Sequence, residues 1–176
     1  MRAGKHIAVI GLVMECMREV FDNKDRMPLG GLTGPPEHRG GLLVAIDGFN
    51  ERGGESDCAS LAFVNVLKRY RADNFPNEAG AATNCKGTKA VVIQVGVARC
   101  SVALDEHGEP PSRDVTEREA LVLQDDADRL DQALCMAVTR GEDKNLISQA
   151  IINSWEPVGP EGGILTGVQT ITIELA

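Results

Sequence analysis

The sequence predicts an α+β domain, a single mostly antiparallel sheet with two main helices in the order α-β-β-β-α-β. Three observations carry that expectation. Val9, Val13, Met17, Val20 and Phe21, reinforced by Ile10 and Met14, fall at helical spacing near the start of the chain. Leu123, Ala127, Leu130, Leu134 and Val138 do the same later. Between them, "TKAVVIQVGVARCSV" alternates with the period of two that belongs to a strand. A length of 176 residues makes one domain, 1–176, the expected organisation.

Taken in order, the first helix spans roughly 7–22, with charged Glu15, Arg18 and Glu19 off its apolar stripe. The segment "NKDRMPLGGLTGPPEHRGG" (23–41) breaks all periodicity and reads as a long Gly/Pro-rich loop. Such a loop in a small domain is functional or is ordered by a partner. "LLVAIDGF" (Leu42 to Phe49) reads as the first strand and "CASLAFVNVLKRYRA" (Cys58 to Ala72) as the second. In the third, Val91, Ile93, Val95 and Val97 point one way, while Val92, Gln94, Gly96 and Ala98 point the other. Apolar residues on both faces put this strand at the centre of its sheet, and Gly96 marks a bulge or a close approach.

Thr116 followed by Glu119 has the spacing of a capping box, and Gly141 sits where a left-handed residue ends a helix. The second helix is therefore placed at 116–140, about 37 Å long at 1.5 Å per residue. "KNLISQAIINSW" reads either as a short helix or as an extended segment. Ile171, Ile173 and Leu175 alternate with Thr170, Thr172 and Glu174 as a half-buried last strand. Consecutive strands joined by modest loops are expected to be antiparallel.

Composition excludes some functions. Aromatic residues are only 3% of the chain, too few for a base-stacking platform. The net charge of −8 has the wrong sign for a protein that grips phosphates. The basic run "KRYR" (Lys68, Arg69, Tyr70, Arg71) reads as the solvated end of a strand. Five cysteines (Cys16, Cys58, Cys85, Cys100, Cys135) with no C-x-x-C read as free thiols in a reducing compartment, most of them core fillers. His6, His38 and His107 are scattered and offer no zinc spacing. The apolar run "IAVIGLVM" has 8 residues and is followed by Glu15, so it reads as an amphipathic helix and not as a targeting or membrane-spanning segment.

No motif assembles a catalytic centre. In "SWEPVGPEGGILTGVQTITIEL" the glycines lead into a strand, so no helix dipole is offered to a phosphate, and no Lys or Arg follows Lys144. Pro157 and Pro160 stiffen this corner and Trp155 anchors it, either at an interface or as plain core. "GAATNCKGT" (Gly80 to Thr88) lacks the Gly-Lys pair and the following helix of a P-loop. A thiol enzyme would use Cys58 or Cys100 with His38 or His107. The acidic cluster Asp105, Glu106 and Glu109 reads as a solvated turn, and Asp125, Asp126 and Asp128 as the wet face of the second helix. The expectation is no catalytic residue, no cofactor and no metal.

The elements "NFPNEAG…NCKGTKAVVIQVGVARC", "DEHGEPPS", "LQDDADRLDQALCMAV" and "SWEPVGPEGGILTGVQTITIEL" stand in one order from Asn74 to Leu175. Together they resemble the small head-to-tail connector proteins of long-tailed actinobacteriophages, and among them the tail terminators, or tail completion proteins. The chain departs from that pattern at Ile164, Thr166-Gly167 and Val168, where members carry Cys, a second Gly-Gly and an aromatic. It departs again at Cys135-Met136, where they carry paired cysteines. No role of those extra cysteines is carried over.

The resemblance implies a virion structural protein at the head–tail junction, assembled in the bacterial host cytoplasm. It would form a ring, a hexamer, that caps the tail tube and docks it to the head-side connector or stopper protein. It implies no cofactor and no membrane, and DNA would pass through the lumen without specific binding, repelled by an acidic wall. Another connector ring, such as a head-closure protein, is the nearest alternative. Exposed-looking residues assigned to partner contact are Pro35, Pro36, Trp155, Pro157 and Pro160, with the 23–41 loop.

Overall fold

The computed structural model describes residues 4–40, 60–80, 87–101, 108–161 and 163–176. Helix α1 (Lys5–Phe21) is followed by a short 3-10 turn (Lys24–Arg26) and strands β1 (Glu37–Gly40), β2 (Leu61–Asn74), β3 (Asn77–Glu78) and β4 (Thr88–Cys100). Helix α2 (Arg113–Asp143), β5 (Ile147–Glu161) and β6 (Ile164–Leu175) complete the chain. The expected strand at Leu42 to Phe49 lies outside the described residues.

The six strands form one mixed sheet in the order β1-β2-β4-β6-β5, with β3 pairing β2 off that path. This corrects the expected mostly antiparallel sheet and the order α-β-β-β-α-β. β1 runs parallel to β2, with Glu37 beside Phe63 and Gly40 beside Val66. It lies inside the segment read as a loop, because "EHRG" has no apolar alternation and only its pairing with β2 makes it a strand. β5 is the second addition. Its pairing with β6 slips between Ile147 and Gln149, between Ile152 and Trp155, and between Val158 and Glu161. Each slip reverses the in-and-out alternation, so inward-facing residues lose the period of two by which a strand is recognised.

β4 is central, flanked by β2 and β6. Val91, Ile93, Val95 and Val97 point to the face carrying both helices, where they meet Ile171 and Ile173 of β6 and Ala62 and Val64 of β2. From α1 come Val9, Val13, Met17 and Phe21, and from α2 come Leu130, Ala133, Leu134 and Ala137, all fully buried. Burial of each large side chain among these contributes roughly 1.5–3 kcal/mol. On the other face, Gly96 lies under Phe63, whose ring fills the space a Cβ would need.

α2 is longer at both ends than its sequence signals. Its N-cap is Ser112, and the Thr116 hydroxyl donates to the Arg113 carbonyl, so no capping box forms at Thr116. Gly141 is a buried helical residue packed against Ile147 and not a helix terminator. The helix stops instead at Asn145, whose φ of 52° is left-handed. There Asn145 N–H donates to the Glu142 carbonyl and Leu146 N–H to the Gly141 carbonyl, both at 2.9 Å, the paired bonds of a Schellman motif.

Candidate partner interface

The five residues assigned to partner contact separate into two groups at opposite edges of the sheet. Pro35, exposed, and Pro36, buried, lead into β1 at one edge. Trp155, Pro157 and Pro160 lie on β5 at the other. Proline is tolerated there because an edge strand does not need every N–H for pairing. Trp155 is half-buried and packs on the main core. Its indole covers Gly167, where a Cβ would stand 2.6 Å from Nε1. Pro157, Val158 and Pro160 are exposed beside it, Val158 by 49%.

The 23–36 segment has a defined path, and two arginines set it. Arg129 of α2 donates to the carbonyls of Val20, Arg26 and Met27 at 2.9, 3.0 and 3.2 Å while its Nε pairs with Asp125 at 2.9 Å. Asp125 in turn accepts from Leu29 N–H at 2.8 Å. Arg99 of β4 donates to the carbonyls of Gly30 and Gly31 at 2.8 and 2.9 Å. Its other two nitrogens grip Asp126 at 2.9 and 2.6 Å.

Arg99 and Asp126 are both buried, which corrects the reading of Asp125, Asp126 and Asp128 as one wet face. Asp126 lies four residues before Leu130 and so shares the inner stripe of α2, whereas Asp128 is exposed. Burial pushes the Asp126 carboxyl above its ordinary value, with Arg99 opposing. For Asp125, burial acts upward too, but the hydrogen bonds from Arg129 and Leu29 and the arginine charges hold it below the ordinary value.

Above this pinned segment a groove of about 610 Å³ opens between residues 27–31, the first turns of α2 and the ends of β4 and β6. Met27, Leu29, Val115, Val122 and Leu165 give it apolar walls and Arg118 a charged rim. Met27 and Leu29, and Leu121 on the outer face of α2, are each more than half exposed.

The cysteines differ from expectation. Cys100 is disulfide-bonded, which removes it as a free nucleophile and corrects the reading of five free thiols. Cys16 and Cys135 are free, Cys16 buried and Cys135 exposed, and burial raises the pKa of both thiols. Cys58, Cys85 and His107 lie outside the described residues, as do Asp105 and Glu106. His38 is exposed with Nδ1 2.9 Å from the Val64 carbonyl. Among the described residues no group of three or more His, Cys, Asp or Glu side chains is arranged to hold a metal ion, and no helix is long and apolar enough to cross a membrane. In the basic run, Lys68 pairs with Glu78, Tyr70 donates to the Pro76 carbonyl at 2.7 Å, and Arg71 to the Gly87 carbonyl at 2.8 Å. Arg69 is exposed.

The chain matches no protein-family model and no curated protein sequence.

Proposed function

We propose that the chain is a virion structural protein, a ring-forming tail terminator that caps the tail tube and joins it to the head-side connector. The motifs running from Asn74 to Leu175 support this reading. The structural observation that carries it is the presence of two unlike lateral edges on one sheet. β1 with Pro35 and Pro36 lies on one side, and β5 with Trp155, Pro157 and Pro160 on the other. A closed ring of identical subunits needs this, because each protomer must offer its neighbours two different surfaces. The groove beside Met27 and Leu29 supplies a further apolar surface, held in shape by Arg99 and Arg129, for the tube or the head connector.

The test is electron cryo-microscopy of intact virions at the head–tail junction. The expected result is a ring of about six copies between tail tube and head connector. Absence of the chain from the particle overturns the reading.

A further inference from the structure

β5 is an edge strand, with no strand on its outer side among the described residues, and from Ile147 to Trp155 it carries no charge. Proteins guard exposed edges with charges, prolines and bulges. The distal half of β5 has Glu156, Pro157, Pro160 and a slip of register. The proximal half has slips on either side of Gln149–Ile152, but no charge and no proline.

That half is also symmetric in sequence. In "SQAIINS" (Ser148 to Ser154) the residues mirror one another about Ile151: Ser148 with Ser154, Gln149 with Asn153, Ala150 with Ile152. The two serines, Gln149, Asn153 and Ile151 are exposed, Ile151 by 39%. Ala150 and Ile152 pack on the main core, on the helix face. A strand paired antiparallel with its own copy sets residues equally far before and after its centre against each other. A mirror about Ile151 therefore brings like with like. A twofold axis beside Ile151 also matches the faces, so both helix layers lie on one side of a continuous sheet.

The helix layer supplies a second observation. α2 lies over β5 and β6. Gly141 packs on Ile147, and Asp131 accepts from Gln169 Nε2 at 3.5 Å, which also donates to the Asn153 carbonyl at 3.0 Å. Cys135, between Asp131 and Gly141, is thus level with Ile151. Arg129 and Arg140 reach α1 at Val20 and Glu19, so the helical turn puts Asp131 and Cys135 on the opposite flank, towards the open edge. Cys135 is exposed and free. The same twofold sets Cys135 against its own copy and Asp131 against Thr139, an acceptor against a donor. It also sets Asp128 against Glu142, which repel.

We infer that the free chain forms a twofold dimer, in which β5 pairs antiparallel with β5 of a second copy about Ile151 and the two α2 helices lie side by side at Cys135. This pairing does not rest on the tail-terminator reading. Combined with that reading, the dimer holds back ring closure, because a ring needs β5 free for an unlike neighbour.

Sedimentation velocity and native mass spectrometry of the purified full chain test this, at high ionic strength to screen Asp128 from Glu142. The wild type is a dimer. Ile151→Lys and Ile151→Glu each set like charges face to face and weaken association by roughly tenfold or more, and mixing the two variants restores a heterodimer. Crosslinking of two wild-type chains by a short bis-maleimide, lost in Cys135→Ser, stands in if either substitution changes the circular dichroism spectrum. A monomeric wild type overturns the inference, as does a Lys–Glu mixture no better associated than either variant alone, or a crosslinking yield that Cys135→Ser leaves unchanged. A wild type already closed into a ring also overturns it, yet leaves the tail-terminator reading standing. A charge-specific dimer of a chain absent from virions does the reverse.

Discussion

Arg99 and Asp126 stand 27 residues apart in the chain and meet in a two-pronged ion pair whose side chains are almost wholly removed from water. The remaining Arg99 nitrogen holds the Gly30 and Gly31 carbonyls, so one side chain joins β4, α2 and the segment after α1.

Loss of either partner strands a buried charge. Arg99→Ala and Asp126→Ala are each expected to lower unfolding free energy by about 3–5 kcal/mol. An Arg99→Met, Asp126→Leu double variant loses less than the sum of the single changes, because it removes both charges and refills the space. Urea denaturation of all three checks this.

Acid sensitivity follows from Asp125 and Glu19. Both carboxyls sit below their ordinary values, Glu19 chiefly through its hydrogen bond from Arg140. Their stabilisation is complete above the unfolded carboxylate pKa of about 4 and is lost as pH falls through the lower folded values. Asp126 has the opposite sign, since its raised pKa favours proton uptake by the folded state. Asp125→Asn is therefore expected to flatten the acid limb of stability against pH, measured by denaturation between pH 7 and about pH 3.

Gly167→Ala puts a methyl group against the Trp155 indole. The indole must shift, at a cost of about 1–3 kcal/mol. Trp155 is the only tryptophan, so its emission moves to longer wavelength as the ring turns towards water. An unchanged spectrum with unchanged stability would contradict the packing described.

Asn145 ends α2 in the left-handed region. Asn145→Gly is expected to be neutral or slightly stabilising, and Asn145→Val to cost about 1–2 kcal/mol, because a β-branched side chain resists positive φ. Thermal unfolding of the two variants, compared with wild type, reads the difference.

Much of this architecture was legible. The stripes of α1 and α2 and the alternation of β4 were visible because those elements are regular and half-buried. β5 was not, since its register slips scatter Ile147, Ala150, Ile152 and Trp155 to intervals that fit neither period. β1 was not, because a four-residue polar strand has no signal apart from its neighbour. The buried ion pair was within reach. Extending the β4 alternation from Val97 puts Arg99 on the helix face, and stepping back four residues from Leu130 puts Asp126 opposite. Its company, Asp125 and Asp128, suggests a solvated acid, but its position on the stripe is the better guide. The Pro and Trp residues assigned to partner contact divide between the β1 and β5 edges of the sheet, an arrangement set by strand order, which composition does not encode.

The grip of Arg99 and Arg129 on the 26–31 segment has a consequence for divergence. Both arginines hold it by carbonyl oxygens, those of Arg26, Met27, Gly30 and Gly31, and every residue type supplies a carbonyl. The path of the segment is thus encoded in α2 and β4 together with Gly30, where a Cβ would stand 2.6 Å from Val122, and Gly31, whose φ of 82° is left-handed, while Met27 and Leu29 contribute to it through their backbone and leave their side chains more than half exposed. Those two positions are free to drift or to be re-engineered towards a new docking surface, with the shape that presents them inherited unchanged.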